Sequence, residues 1–116
     1  MANVLSVSRY KNVKLDLTTT NVTTLYTCPP LMTTFVSSIL VSEDSGNADT
    51  ITLTVTNGSS VFSIYHVKAV GASGTIDLVG NELILVSGDI LKVTAATANR
   101  LHVLASLVEV PKTTIA

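Results

Sequence analysis

The fold of this chain is decided by residues 49–67, which read DTITLTVTNGSSVFSIYHV. In the first half of this stretch, Ile51, Leu53 and Val55 alternate with threonines, a pattern typical of a strand that is buried on one side. The pair Asn57-Gly58 then supplies residues that adopt positive φ at low cost, as a tight hairpin turn requires. Because a two-stranded hairpin is only marginally stable alone, the rest of the chain is expected to supply strands that cover its apolar side.

Further short strands are predicted along the rest of the chain, with no convincing helix. They cover residues 13–18, 23–28, 33–41, 75–79, 82–86, 90–95 and 100–110. Segment 33–41 could be read as a helix, but its β-branched residues and the lack of a preceding cap favour a strand. A total of about eight to nine strands, spaced roughly 8–12 residues apart, is typical of a sandwich. The sequence therefore predicts an all-β fold, a single antiparallel β-sandwich of jelly-roll or immunoglobulin-like type.

The length of 116 residues fits one domain. We divide the chain into an extended N-terminal arm over residues 1–12, a sandwich domain over residues 13–110 and a C-terminal tail over residues 111–116. The last predicted strand, residues 100–110, is apolar on both faces, so we expect it at the centre of a sheet or at an interface.

The composition indicates a surface that is poor in charge. Hydrophobic residues make up 47% of the chain and charged residues only 13%, against about 25% charged in an average domain. Some outward-facing apolar and threonine-rich area is therefore expected to be covered by other chains, as in an obligate oligomer. The formal net charge of −1 gives no bulk attraction to nucleic acid or to an anionic membrane.

Membrane insertion and export are also not expected. The best apolar run, Leu83–Val86, is far shorter than the roughly 20 residues of a spanning helix. Residues 1–12 lack the apolar segment of a signal peptide, so the product is expected to stay inside the cell that makes it.

A local excess of positive charge lies near the N-terminus. Arg9, Lys11 and Lys14 are three of the seven basic residues, and no acidic residue precedes Asp16. Two interpretations stay open: the three cations protect a solvated strand edge from unwanted pairing, or they contact an acidic neighbour.

No catalytic, cofactor-binding or metal-binding residues are predicted. His66 and His102 lack the paired spacing of zinc sites, and no G-x-S-x-G motif activates a serine. The single cysteine, Cys28, lies among apolar neighbours and is expected to be a buried, inert thiol. We therefore expect no enzymatic activity and no cofactor.

One loop, residues 42–48, is rich in oxygen ligands. The densest set, together with the start of the next strand, is Glu43, Asp44, Asn47 and Asp49. Such groups could hold Ca²⁺, but their spacing matches no EF-hand loop. A solvated turn is the favoured interpretation.

Three segments of the sequence resemble small all-β virion proteins of tailed bacteriophages, especially marine and cyanobacterial ones. They are TTLYTCP, SSILVSEDSGNADTITLTVTNG and GTIDLVGNELILVSGDILKVTAATANRLHVLASLVEV, and the resemblance covers roughly residues 23–110. Such proteins include capsid decoration (cement) proteins and small neck, adaptor or tail-fibre components.

The resemblance implies a structural protein on the capsid surface of a virion. Its expected partners are the major capsid protein and further copies of itself, with a trimer as the expected oligomer, and neither nucleic acid nor membrane. The interface candidates on the arm are Arg9, Tyr10, Lys11 and Lys14. In the alternative, a tail-fibre, neck or adaptor protein would recognise a partner or a host surface through loops 42–48 and 71–74.

Overall fold

A computed structural model describes residues 8–112, which form nine β-strands. The strands are β1 Arg9–Leu17, β2 Thr23–Thr27, β3 Met32–Glu43, β4 Asp49–Asn57, β5 Ser60–Val70, β6 Thr75–Asp77, β7 Leu83–Val86, β8 Ile90–Ala95 and β9 Leu101–Pro111. The all-β prediction is confirmed, and the helical interpretation of residues 33–41 is wrong. Within the described part of the chain, no helix is long and apolar enough to cross a membrane.

The strands form two antiparallel sheets. The five-stranded sheet has the order β1-β9-β3, and both β6 and β7 pair with the other edge of β3. The four-stranded sheet has the order β2-β8-β4-β5. The predicted sandwich is therefore confirmed, and β9 lies inside its sheet between β1 and β3, as its two apolar faces suggested.

The hairpin that decides the fold is formed by β4 and β5. Asn57 pairs with Ser60, so the two loop residues are Gly58 and Ser59. Gly58 has a φ of 60°, and glycine at the first loop position is typical of a type II′ turn. The turn therefore lies one residue further along than the Asn57-Gly58 pair suggested.

The core lies between the two inner faces. Its largest fully buried apolar side chains are Ile39, Ile51, Leu53, Leu85, Leu91 and Leu101. Each side chain of this size stabilises the fold by about 1.5–3 kcal/mol when it leaves water. Cys28 is buried in the same core, as predicted.

The first strand begins earlier than the sequence suggested. Pairing with β9 starts at Arg9, opposite Glu109, and continues without a break to Leu17. Residues 9–12 are therefore part of the sheet rather than of the predicted arm, because β9 is long enough to pair with them. Residues 1–7 of the predicted arm and residues 113–116 of the predicted tail lie outside the described residues.

Candidate interaction surface

The outward-facing sides of the two sheets differ in chemistry. On the four-stranded sheet, Thr54 is paired with Lys92, and Thr52 is paired with Thr94, so this side presents hydroxyl groups and charge. The outward side of the five-stranded sheet, called the outer face below, carries apolar side chains next to polar ones such as Asn12, Ser106 and Asp77. Because several large apolar side chains of this side are exposed or only partly buried, the outer face is the candidate interaction surface.

An apolar row crosses the outer face from one edge to the other. Register places Tyr10 opposite Val108, Val108 opposite Phe35, and Phe35 opposite Ile84. The residues on either side of Val108 and Phe35 along their strands are buried in the core, so the row itself points outward. Tyr10 is 88% exposed and Ile84 is 53% exposed. Directly opposed aromatic and β-branched residues stabilise a sheet, and here they also build a continuous apolar band.

Two shallow concavities lie on the same side of the row, one beside it and one further along the outer face. One has a volume of about 580 Å³, with the side chains of Leu40 and Leu104 in its lining. The other has a volume of about 400 Å³ and is lined in part by Tyr10, Ser106 and Val108. Such concavities could accept apolar side chains of a partner protein.

A histidine lies between two carboxylates at one end of the outer face. Nε2 of His102 lies 3.3 Å from Oδ1 of Asp16, and its Nδ1 lies 3.8 Å from Oδ2 of Asp44. This arrangement connects β9 with β1 and with the loop after β3. His102 and Asp16 also line the larger concavity, so polar groups stand at its rim.

The four interface candidates do not form one patch. Strand alternation places Tyr10 and Lys14 on the outer face, where they line the two concavities. Lys11 points to the other side of β1, and its Nζ lies 3.5 Å from Oε2 of the buried Glu109. Arg9 has the same parity along β1 as Lys11. Only Tyr10 and Lys14 therefore share the outer face.

The buried carboxylate of Glu109 belongs to a polar cluster between the sheets. The Tyr26 hydroxyl donates to Oε2 of Glu109, and it also lies 2.8 Å from Oγ1 of Thr34. Burial, followed by the hydrogen bond to Glu109, raises the pKa of Tyr26 above its ordinary value. The hydrogen bonds of this cluster satisfy the buried polar side chains of Thr34 and Glu109.

The acidic loop is anchored through Glu43. Its carboxylate accepts hydrogen bonds from the Ser45 hydroxyl and from the backbone N–H groups of Ser45, Gly46 and Ser73. Burial would raise the pKa of Glu43, but these hydrogen bonds outweigh it and lower the pKa to about 2. Asp49 accepts from the backbone N–H of Thr97. Among the described residues, no group of three His, Cys, Asp or Glu side chains is placed to hold a metal ion.

Sequence reasoning missed Phe35, Ile84 and Val108 as surface residues. The available signal was the pattern of residues 33–41, in which Phe35 and Val36 are both apolar and no single buried side fits. The structure explains that pattern, because Val36 lies in the core and Phe35 lies on the outer face.

Among known proteins, only solved structures are similar to this chain. No family model matches the chain, and no curated protein matches it. Among solved structures, the crystal structure of a pentameric capsid protein isolated from metagenomic phage sequences is similar, with a TM-score of 0.46, 17% sequence identity, and coverage of 89% of this chain and 62% of that chain. A structure of a pentameric capsid protein from the same kind of source, solved by iodide SAD phasing, gives a TM-score of 0.45 at 17% identity, covering 89% of this chain and 64% of that one. The chain thus spans less than two thirds of either protein, and with both TM-scores below 0.5 this likeness by itself assigns neither fold family nor function.

Proposed function

We propose that this chain is a bacteriophage virion structural protein, specifically a capsid decoration (cement) protein that binds the major capsid protein lattice. The observation that carries the proposal is the apolar row Tyr10-Val108-Phe35-Ile84 across the outer face, whereas the central strands of the other sheet present threonines and Lys92. A protein that coats a shell needs such a row to dock. The sequence resemblance to small phage virion proteins supports the same role.

The strand order supports the jelly-roll alternative within the predicted sandwich types. β1 lies beside β9 in one sheet, and β2 lies beside β8 in the other. The chain crosses from sheet to sheet between β1 and β4 at every connection, and again around β8. Jelly rolls occur widely in viral capsid proteins. In this proposal the protein acts as a scaffold without catalytic activity.

The apolar row supplies the docking contact. Tyr10 and Phe35 are aromatic residues of the kind that is enriched at interfaces and anchors binding energy there. Lys14 lines the larger concavity of the outer face, where it could pair with an acidic group of the partner. Copies of the chain would associate as a homo-oligomer, with a trimer as the expected form, while this face covers the lattice.

The first test is a titration of purified protein onto expanded, undecorated phage heads. A copy number at saturation that scales with the capsid lattice would support decoration. Absence of binding, or binding of a few copies at a single vertex, would reject it.

A matched pair of variants tests which side docks. Ile84→Glu places a carboxylate in the apolar row and should weaken head binding at least tenfold. Thr54→Glu places the same group on the opposite side, beside Lys92, and should leave binding unchanged. Equal effects from the two variants would contradict docking through the outer face.

The arm is tested by a truncation whose limits follow from the structure. Since residues 9–12 belong to β1, only residues 1–7 should be deleted. Loss of head binding with an unchanged circular dichroism spectrum would support an arm that contacts the capsid. Unchanged binding would remove the arm from the proposal.

The alternative role, a tail-fibre, neck or adaptor protein, is favoured by one feature. Glu43 joins loops 42–48 and 71–74, because its carboxylate accepts from Ser73 at 2.9 Å as well as from its own loop. A rigid pair of loops is suited to recognition. Asp44 is an exposed carboxylate of loop 42–48. If the protein has this alternative role, Asp44→Ala should weaken adsorption to a host or tail partner. Full adsorption by that variant would argue against the alternative role.

A further inference from the structure

The β4–β5 hairpin exposes further apolar side chains, away from the outer face. β5 is the edge strand of the four-stranded sheet, and all its residues except Tyr65 and Val70 are exposed. Its large exposed apolar side chains are Val61 at 64%, Phe62 at 58%, Ile64 at 44% and Val67 at 53%. Val61 and Phe62 are opposite Thr56 and Val55, so these side chains lie on both sides of the edge strand.

Two irregularities in β5 alter how these side chains are presented. Tyr65 pairs with Leu53 and Ser63 with Thr54, so the register leaves Ile64 without an opposite residue on β4. A β-bulge of this kind bends the strand and changes the direction in which nearby side chains point.

The second irregularity is a strained valine. Val67 has a φ of 53°, a left-handed conformation that a β-branched residue rarely adopts. Its backbone N–H donates to Oγ1 of Thr52 at 3.0 Å. Backbone strain of this kind is often found at binding or functional sites.

The part of the hairpin next to its turn lacks the charges that protect other edges. β1, the edge of the five-stranded sheet, carries Arg9, Lys11 and Lys14, as expected for an edge that must avoid pairing. From residue 50 to residue 67 the hairpin contains no Asp, Glu, Lys or Arg, and Lys68 is the one such residue of β5. Residues 60–67 of this edge strand are therefore uncharged apart from His66 and expose several apolar side chains.

We propose that this hairpin packs against the same hairpin of a second copy of the chain, around the symmetry axis of the homo-oligomer. The absence of charge favours this occupant, because a charged patch repels its own copy whereas an uncharged one does not. Serine hydroxyls and free main-chain groups along β5 supply hydrogen bonds across the contact.

This contact rests on the proposal that the protein is a homo-oligomer. It is compatible with the proposal that the outer face docks on the capsid lattice. The hairpin belongs to the four-stranded sheet, whereas the apolar row lies on the outward side of the other sheet. One copy can therefore contact its neighbours through the hairpin while its outer face covers the lattice.

The experiment is sedimentation equilibrium of the full chain and of three single variants. Wild type should be a closed oligomer, and Phe62→Lys and Ile64→Lys should dissociate it, with at least a hundredfold weaker self-association. The matched control is Ile84→Lys, which changes an exposed isoleucine of the other sheet and should remain oligomeric. Circular dichroism and a thermal melt establish that each variant is folded.

A second measurement does not depend on disrupting the contact. Because Cys28 is buried, Phe62→Cys introduces the accessible thiol, and mild oxidation should link copies covalently through their hairpins. Ile84→Cys is the control and should give no such product.

The outcomes separate this inference from the proposed function. A monomeric wild type, or an oligomer that survives both lysine variants and gives no Phe62→Cys product, overturns the hairpin contact. If a monomeric wild type binds heads and the hairpin variants lose that binding, the hairpin contacts the capsid protein instead, and decoration stands without this inference. If the hairpin assembles copies but no variant or wild type binds heads, the inference stands and decoration fails.

Discussion

The hydroxyl of Tyr26 donates a hydrogen bond to Oε2 of Glu109 at 2.5 Å and so joins the two sheets of the sandwich. Tyr26 lies on β2 and Glu109 on β9, strands that belong to opposite sheets. Lys11, from β1, approaches the same carboxylate oxygen at 3.5 Å. A buried carboxylate is costly unless it is hydrogen-bonded and paired, and these two side chains meet both needs.

Removing the Tyr26 hydroxyl should destabilise the protein. Tyr26→Phe leaves the buried Glu109 without its shortest hydrogen bond, which should cost about 1–3 kcal/mol of unfolding free energy. Urea denaturation measures the change. Tyr10→Phe, the same substitution on an exposed residue, should stay within about 0.5 kcal/mol; equal losses in both variants would contradict the importance of the cluster.

Alkaline pH should weaken the protein through the same residue. The pKa of Tyr26 is raised above its ordinary value of 10.0 in the folded state, so the folded protein holds a proton that the unfolded chain releases. The stability that this provides is fully present below pH 10 and is lost as the pH rises further. Melting temperatures measured from pH 8 to pH 11 should therefore fall more steeply for wild type than for Tyr26→Phe. Parallel curves would show that Tyr26 does not titrate differently in the two states.

Acidic pH should act on the loop anchor, Glu43. Its pKa is lowered from 4.5 to about 2 in the folded state, so its contribution to stability is fully present above pH 4.5 and is lost as the pH falls through 2. Glu43→Gln, which replaces an acceptor oxygen with an amide NH₂ facing N–H donors, should lower the melting temperature at pH 7. The difference from wild type should shrink between pH 4.5 and pH 2. The exposed control, Glu82→Gln, should show no such convergence.

Local sequence patterns predicted the strands and the sandwich, whereas they did not predict which apolar side chains lie on the outer face and on the hairpin. Alternation in residues 49–57 was sufficient to predict a strand because only one of its sides is apolar. Residues 33–41 gave an ambiguous pattern because β3 is apolar on both sides, and one sequence cannot tell which side meets a partner. The positive φ of Val67 was not foreseeable, since valine is a residue that strands favour.

The positions of the basic residues on β1 could be determined only from the pairing of β1 with β9. Alternation along β1 separates Lys11 from Lys14, but the sequence prediction began this strand at residue 13 and left Lys11 in an arm. The pairing with β9 that extends the strand to Arg9 is a contact between residues far apart in sequence. Likewise, the roles of Glu43 and Asp49 depend on the distant residues Ser73 and Thr97.

Relieving the strain at Val67 should stabilise the monomer. Glycine adopts the left-handed conformation without the penalty of a Cβ, so Val67→Gly should raise the unfolding free energy by about 1 kcal/mol. The melting temperature should then rise by about 5 °C. Measuring both in a Phe62→Lys background removes any contribution from hairpin contacts between copies. Val61→Gly, at a regularly paired position, is the control and should lower stability by about 0.5–1 kcal/mol; a loss of stability in both variants would contradict strain at Val67.

Lys11 and Lys14 should affect different properties, although only three positions separate them. Lys11→Ala removes the cation beside the buried Glu109 and should cost about 1–2 kcal/mol of stability. Lys14 is solvated, with its Nζ 2.9 Å from Oδ1 of the exposed Asn12, so Lys14→Ala should change stability by less than about 0.5 kcal/mol. Because Lys14 lines the concavity of the outer face, its removal should instead weaken binding to phage heads, and more so at low salt. Urea denaturation and head titration on both variants measure the two properties. Lost head binding without lost stability in Lys11→Ala would show that Lys11 faces the capsid and that its pairing with Glu109 does not hold in the protein.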